Sequence, residues 1–271
     1  MAITDTAVSF DDSAAYERFV GSWGRAAGAM FLDWLAPPGG ASWLDIGCGT
    51  GLFTELILDT RSPAAVFAID AAAAQIEHAG RKPVARRANF HVGDARALPF
   101  PDATFDVVAS ALVINFIADR ARALSEMRRV TRTHGAVAGY VWDFGEELSP
   151  SGPFRVGMRE VADLPALPGS EDSSLGALRS LFARAGLEEI ATRTIEVTVS
   201  FPNFDDFWLA QTPSYSPMTK MIAAMTTSER AKLTEAVRAQ VPFRGDGRIE
   251  YRARANAIKA RVPRRPMGQQ R

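Results

Sequence analysis

Trp23, Ala26, Ala27, Met30, Phe31, Trp34 and Leu35 fall on one face at helical spacing, and Pro37-Pro38-Gly39-Gly40 stops the pattern. The spacing predicts an amphipathic helix, then a short buried strand, Ser42 to Ile46, that runs into Gly47-Cys48-Gly49-Thr50-Gly51. Leu52, Phe53, Leu56 and Ile57 open the next helix. The unit repeats with changes: Ala65 to Ile69 reads as a strand closed by Asp70, Ala71 to Ala79 as helix, and Phe90 to Val92 as a strand closed by Gly93-Asp94. Phe105 to Ala109 is another buried strand. Leu124, Met127 and Val130 mark a helix with Arg122, Glu126, Arg128 and Arg129 on its outer face, and His134-Gly135 is expected to end it before a strand at Ala136 to Val141. Strands alternating with helices predict a parallel sheet covered on both faces.

Beyond residue 186 the period changes to two. Ile195, Val197, Val199 and Phe201 alternate with Glu196, Thr198 and Ser200, and Ile249, Tyr251, Ala253, Ala255 and Ala257 repeat the alternation after Gly245-Asp246-Gly247. Two such strands predict an antiparallel edge on the sheet. Between them, Thr226 with Glu229 in capping-box register starts a helix carrying Leu233, Val237 and Val241.

Composition narrows the classes. Lys+Arg 31 against Asp+Glu 31 leaves no surplus of cations for a polyanion partner, so nucleic acid is not expected. With 47% hydrophobic and 23% charged residues in a chain of 271, the composition is that of a folded protein. A single cysteine, Cys48, precludes an internal disulfide and, with three histidines, offers no thiolate or multi-histidine metal site. A reducing cytoplasm is the expected compartment. Met1 to Phe10 lacks a basic region followed by an apolar stretch, and the run Phe105 to Ala118 is broken by Asp106, Ser110 and Asn115, so neither a secretory signal nor a membrane span is expected.

The chemistry is concentrated where strands meet turns. In Asp45-Ile46-Gly47-Cys48-Gly49-Thr50-Gly51 the alternate glycines permit positive φ and let backbone amides approach a ligand. A dinucleotide fingerprint would place the third glycine one residue later, and Asp45 would repel a pyrophosphate while attracting a cationic group. Asp70, at the end of the second strand, can accept both hydroxyls of a ribose, and Asp94, at the end of the third, can accept from an adenine amino group. Each acid alone could be a turn or cap residue. Together they sit at the carboxyl edge of the strands, where open α/β sheets bind ligands.

On these residues, with Leu98-Pro99-Phe100, Phe105-Asp106-Val107-Val108 and Met127-Arg128-Arg129-Val130, the chain resembles the class I S-adenosylmethionine-dependent methyltransferases. The likeness is to the small-molecule branch of ubiquinone- and menaquinone-biosynthesis type, with a methyltransferase-11-like domain, and its specific motifs cover residues 40–145. It implies a Rossmann-like, doubly wound, seven-stranded, mostly parallel sheet with an antiparallel last strand, and a cap built from the N-terminal helices and two insertions. It also implies S-adenosyl-L-methionine as methyl donor, with S-adenosyl-L-homocysteine as product. Asp45 with Gly47, Cys48, Gly49 and Gly51 would then hold the methionine end, Asp70 and Ala71 the ribose, and Gly93, Asp94 and Ala95 the adenine. Ser110 and Ala111 would face the methionyl ammonium, while Tyr16, Trp23 and Arg25 would fold over the cofactor, Arg25 pairing with its carboxylate.

Two departures matter. Ala71 to Ala74 supply no side-chain cap after Asp70, and Ser110-Ala111-Leu112-Val113 replaces the Asn/Asp-Pro-Pro-aromatic turn of enzymes that methylate base or amide nitrogens. The expected reaction is metal-independent, in-line methyl transfer to a small organic acceptor. Tyr16, Asn115 and Asp143 are the candidates for acid–base or orienting roles, with Tyr140 as a further possible base. Asn115, Phe116, Trp142 and Asp143 are the candidates for acceptor contact. A non-catalytic S-adenosylmethionine- or nucleoside-binding protein and a nicotinamide-dependent oxidoreductase are the competing readings.

The whole chain, 1–271, is expected to form one domain. Residues 1–36 are assigned to the N-terminal cap, 40–144 to the cofactor-binding core, and 145–172 and 202–245 to cap insertions. Residues 186–201 and 248–260 are assigned to the terminal strands. The basic, proline-broken tail from Arg261 is expected to be a solvated end.

Overall fold

The computed structural model describes the backbone of residues 13–164, 166–167, 169–213 and 217–264, and their side chains apart from those of 13–20, 22 and 217. In chain order the elements are α1 (Ser13–Leu35), β1 (Ser42–Ile46), α2 (Leu52–Thr60), β2 (Ala65–Asp70), α3 (Ala73–Gly80), β3 (Asn89–Val92), β4 (Phe105–Ala111), α4 (Arg120–Val130), β5 (Thr131–Trp142) and α5 (Gly152–Arg159). There follow α6 (Leu175–Arg184), β6 (Glu188–Phe201), α7 (Phe204–Gln211), α8 (Pro217–Ala224), α9 (Thr227–Gln240) and β7 (Ile249–Arg261).

The strands form one seven-stranded sheet in the order β3-β2-β1-β4-β5-β7-β6. β1 to β5 pair in parallel, and β7 lies antiparallel between β5 and β6. This is the Rossmann-like, doubly wound arrangement with its antiparallel last strand. Alternation along the strands sorts the core into two layers. Trp43, Val107, Ala109, Ala138 and Tyr140 face Phe31 of α1, Leu56 of α2, Phe154 of α5 and Phe207 of α7. Leu44, Val108, Val137 and Val141 face Leu124 and Met127 of α4 and Leu178 and Phe182 of α6.

The capping box at Thr226 forms as the spacing predicts, with Glu229 closing it and Leu233 and Val237 buried. Two local expectations are corrected. α4 ends at Val130, and β5 already begins at Thr131, so His134-Gly135 lies inside the strand. His134 has φ 62, and the register against β4 slips there, which lets the strand absorb a bulge instead of breaking. α6 is a further helix, capped by Ser174, in a stretch to which the hydrophobic pattern assigned no element.

β7 and β6 outrun the rest of the sheet. Trp142, the last residue of β5, pairs with Ala255, so Ile249 to Arg254 lie beyond the β5 ladder and, paired with β6, carry a ribbon past the carboxyl edge. Trp23 of α1 meets Phe201 of that ribbon edge-on at 5.5 Å between ring centroids. α5 and α9 pack together beside it, with Gly157 lying directly against Val237.

Candidate active site

The carboxyl ends of β1, β2 and β4 meet the glycine turn. Gly47, Gly49 and Gly51 have φ of 72, 53 and 87, a backbone region that residues with a Cβ rarely enter. Gly47 is constrained twice, because a Cβ there would stand 2.5 Å from a methyl of Val113.

Asp45 ends up fully buried behind this turn. Thr54 of α2 donates to its Oδ2 at 2.6 Å, while Oδ1 is buried with no hydrogen-bond partner. Burial, with help from the negative charge of Asp70, pushes its carboxyl up to about 7. Asp70 accepts the Gly49 N–H on Oδ2 and the Ala72 N–H on Oδ1, both at 2.8 Å. Those bonds pin the glycine turn to the end of β2 and serve the α3 N-terminus, which Ala72 leaves without a side-chain cap. Burial outweighs them and raises the Asp70 carboxyl above the ordinary carboxylate range. Cys48 is buried beside both acids, and burial followed by their charges lifts its thiol well above its usual value, so it stays a neutral, unreactive group.

Asp94 sits in the open at the end of β3, bonded to Arg96 through its backbone N–H at 2.8 Å and its guanidinium at 2.7 Å. The Arg96 side chain holds the Asp94 carboxyl below the usual range. Gly93 beside it lies against Ile69 and Ala95 follows; Ala71 follows Asp70 on the same edge. The structure therefore brings the glycine turn, Asp45 and Asp70 together, Asp70 bonded to the turn through Gly49 and Asp45 bonded behind it to Thr54, with Asp94 at the end of β3.

On the β4 side, the Ser110 hydroxyl is buried without a partner, and Ala111 follows it half-buried. Asn115 lies in a short turn at Ile114–Phe116, 1% exposed, with neither end of its amide hydrogen-bonded. Its backbone oxygen accepts from Arg120, which also pairs with Asp172, and Gly169 presses on the same oxygen. The segment after β5 thus lies directly over Asn115. Phe116 meets Phe144 of that segment edge-on at 5.9 Å, and Trp142 is buried beneath it.

Two of the sequence-assigned residues have other partners. Arg25, expected at the cofactor carboxylate, donates to Glu55 of α2 at 2.8 Å with nearly half its side chain exposed. Asp143, expected as a base, has Oδ2 filled by Arg254 at 2.8 Å and Asn256 at 3.0 Å, and Oδ1 by the Glu146 N–H at 3.2 Å. Asn256 also donates to Ser173, so Asp143 ties the segment after β5 down onto β7. Tyr140 is buried among Phe31 and Phe53. Tyr16 belongs to α1, but its side chain lies outside the described residues. Residues not singled out by the sequence include Thr54, Arg254 and Asn256. Thr54 and Asn256 stand at buried positions of an apolar helix and strand, a polar-in-core signal visible without coordinates.

Residues 44–139 match the methyltransferase-domain family. The malonyl-[acyl-carrier protein] O-methyltransferase of Serratia marcescens is 32% identical over 136 residues, 50% of this chain and 49% of that protein. The demethylmenaquinone methyltransferase of Roseiflexus castenholzii is 36% identical over 103 residues, 38% of this chain and 43% of that protein. The chain thus spans about half the length of these curated relatives, or less. In fold it is similar to a phosphoethanolamine N-methyltransferase of Haemonchus contortus solved with phosphomonomethylethanolamine and S-adenosylhomocysteine. That likeness has a TM-score of 0.58 at 20% identity and covers 94% of this chain and 58% of that one. Residues 44–139 thus match a methyltransferase domain in sequence, and over that stretch the chain is similar to methyltransferases of small-molecule biosynthesis.

Proposed function

We propose that the chain transfers a methyl group from S-adenosyl-L-methionine to a small organic acceptor, without a metal, in the cytoplasm. The observation that carries this reading is the orphaned Oδ1 of Asp45, a buried carboxylate oxygen behind a positive-φ glycine turn, joined through Gly49 to Asp70. Such an atom is costly to leave unpaired, and the turn offers room only for a ligand that backbone can approach closely.

In this reading Asp45 attracts the positive end of the ligand, and Gly47, Cys48, Gly49 and Gly51 line its methionine portion. Asp70 keeps lone pairs free for two ribose hydroxyls beside its two backbone donors, with Ala71 alongside. Gly93, Asp94 and Ala95 flank the base, which requires Arg96 to share the Asp94 carboxylate. Ser110 and Ala111 border the ammonium. When bound, the donor supplies a methyl on a sulfonium, already activated for displacement without a Lewis acid.

The remaining work of the protein is alignment and exclusion of water. Asn115 offers a donor and an acceptor to orient the incoming group, while Phe116, Phe144 and Trp142 form apolar walls under the segment after β5. Asp143 holds that segment in place and takes no part as a base. The sheet, α1 and the segments 145–172 and 202–245 act as one domain in which the last two close the acceptor side. No helix among the described residues is long and apolar enough to cross a membrane, in keeping with an acceptor taken from water.

Calorimetric titration tests the reading: S-adenosylhomocysteine is expected to bind with micromolar affinity and NADH not at all. Absence of binding by both S-adenosylmethionine and S-adenosylhomocysteine would overturn it.

A further inference from the structure

Arg155 is an anomaly in the cap. It sits on α5 with only 5% of its side chain exposed, yet its Nε is buried without a hydrogen-bond partner among the described residues. Its single charged contact is Glu147 Oε2, 3.4 Å from Nε and outside hydrogen-bond geometry. A buried guanidinium ordinarily fills its fork of donors, because an unpaired one forfeits its hydration with nothing in return.

Glu147 does not repair this. Its other oxygen is taken by Arg159, so one carboxylate serves two guanidinia and the group carries a net positive charge. The Glu147 backbone is held at φ 54, and its carbonyl oxygen occupies the space a Cβ at Gly152 would need, which fixes the turn leading into α5.

The turn that leads into α5 is itself polar. Pro150, in the same turn, accepts from Gln211 of α7 at 3.3 Å and from the Tyr251 hydroxyl of β7. Gln211 keeps a buried Oε1 without a partner. Ser149 and Ser151 are buried and bonded to each other at 3.1 Å. Phe154 and Met158, on the same helix as Arg155, belong to the apolar layer that includes Trp142 at the end of β5. Arg155 thus lies in the segment that leaves β5, which the proposed reading places over the acceptor.

We infer that Arg155 is the anchor of an anion subsite in the cap, which receives a carboxylate or phosphate group carried by the methyl acceptor. The inference rests on the proposed acceptor side and narrows it to anionic substrates. A planar carboxylate can take two parallel N–H bonds from the guanidinium and neutralise the charge that Glu147 leaves over. A phosphate satisfies the same fork.

The test is thermal unfolding of the full chain with saturating S-adenosylhomocysteine, at matched ionic strength, with benzoate, benzamide or inorganic phosphate added. An anion that fits raises the melting temperature by about 3 °C at ten times its dissociation constant, while benzamide does not. Benzoate alone acting assigns a carboxylate, and phosphate alone acting assigns a phosphate. R155M abolishes the shift, and R155K, which keeps the charge, retains part of it. The inference is overturned if neither anion acts on the unmodified protein, or if the shift persists undiminished in R155M. Titration of S-adenosylhomocysteine alone separates the two readings. Binding without any anion response removes this inference and leaves the function standing, whereas an Arg155-dependent anion response without nucleoside binding overturns the function and leaves only an anion site with no methyl acceptor assigned to it.

Discussion

The two ends of the carboxyl edge are built on opposite principles. Over β1 and β2 the proposed ligand surface is mostly backbone: a glycine turn, amides fixed by Asp70, and two acids whose carboxyls burial has raised. Over β4, β5 and the projecting ribbon it is made of side chains from several separate segments, among them the buried Asn115, Asp143 and Arg155. The first construction fixes one ligand, since moving an amide means moving a strand. The second can be rebuilt one side chain at a time, which under the proposed function would let acceptors differ on an unchanged donor site.

The sharpest way to separate the halves is pH. Because the folded Asp45 carboxyl binds its proton up to about 7, against an ordinary value of 3.8, the folded state holds more protons than the unfolded one in that window. Stability of the ligand-free protein therefore falls as pH rises from 4 to 7, by at most about 4 kcal/mol. Denaturant midpoints across that range should show the fall in the unmodified chain and a flatter profile in Asp45→Asn. A cationic ligand end favours the ionised acid, so S-adenosylhomocysteine should bind more tightly as pH rises through the same window.

Next in size is the ribose contact. Asp70→Ala should weaken S-adenosylhomocysteine by about 100-fold, as expected for losing bonds to a charged group at about 1.5–3 kcal/mol. Arg155→Met should leave that affinity within about twofold. Equal losses in the two variants would erase the division between donor and acceptor halves. Gly47→Ala, strained by both its φ and Val113, should cost about 2 kcal/mol in denaturant unfolding. Gly21→Ala, in a helix with open space around it, should stabilise by a few tenths to about 1 kcal/mol. A comparably small effect belongs to the α9 cap: Thr226→Ala should remove about 1 kcal/mol of stability without altering S-adenosylhomocysteine affinity.

The same contrast decides what the sequence could reveal. Strand, glycine turn and terminal acid are neighbours in the chain, so the geometry over β1 and β2 follows from local spacing. The cap does not work that way. Asp143 looks like a free acid until Arg254 and Asn256 arrive from β7, and Arg25 looks like a ligand-binding cation until Glu55 claims it. Such pairings are decided by which distant segments the topology brings together. Arg155 was hidden for a related reason: in Gly152-Pro153-Phe154-Arg155 an arginine reads as surface, and only the packing of α5 shows it to be buried. α6 was legible in principle, since Leu178, Leu181 and Phe182 follow helical spacing behind a Ser174 cap.

The position of β7 carries a consequence for the order of assembly. β6 precedes β7 in synthesis yet joins the sheet only through it, whereas β1 to β5 can pair as they emerge. During translation β6 and the helices after it must wait as unpaired chain until β7 is made. A nascent protein stalled before β7 could already present the nucleoside half, but the half that selects the acceptor would be without a frame.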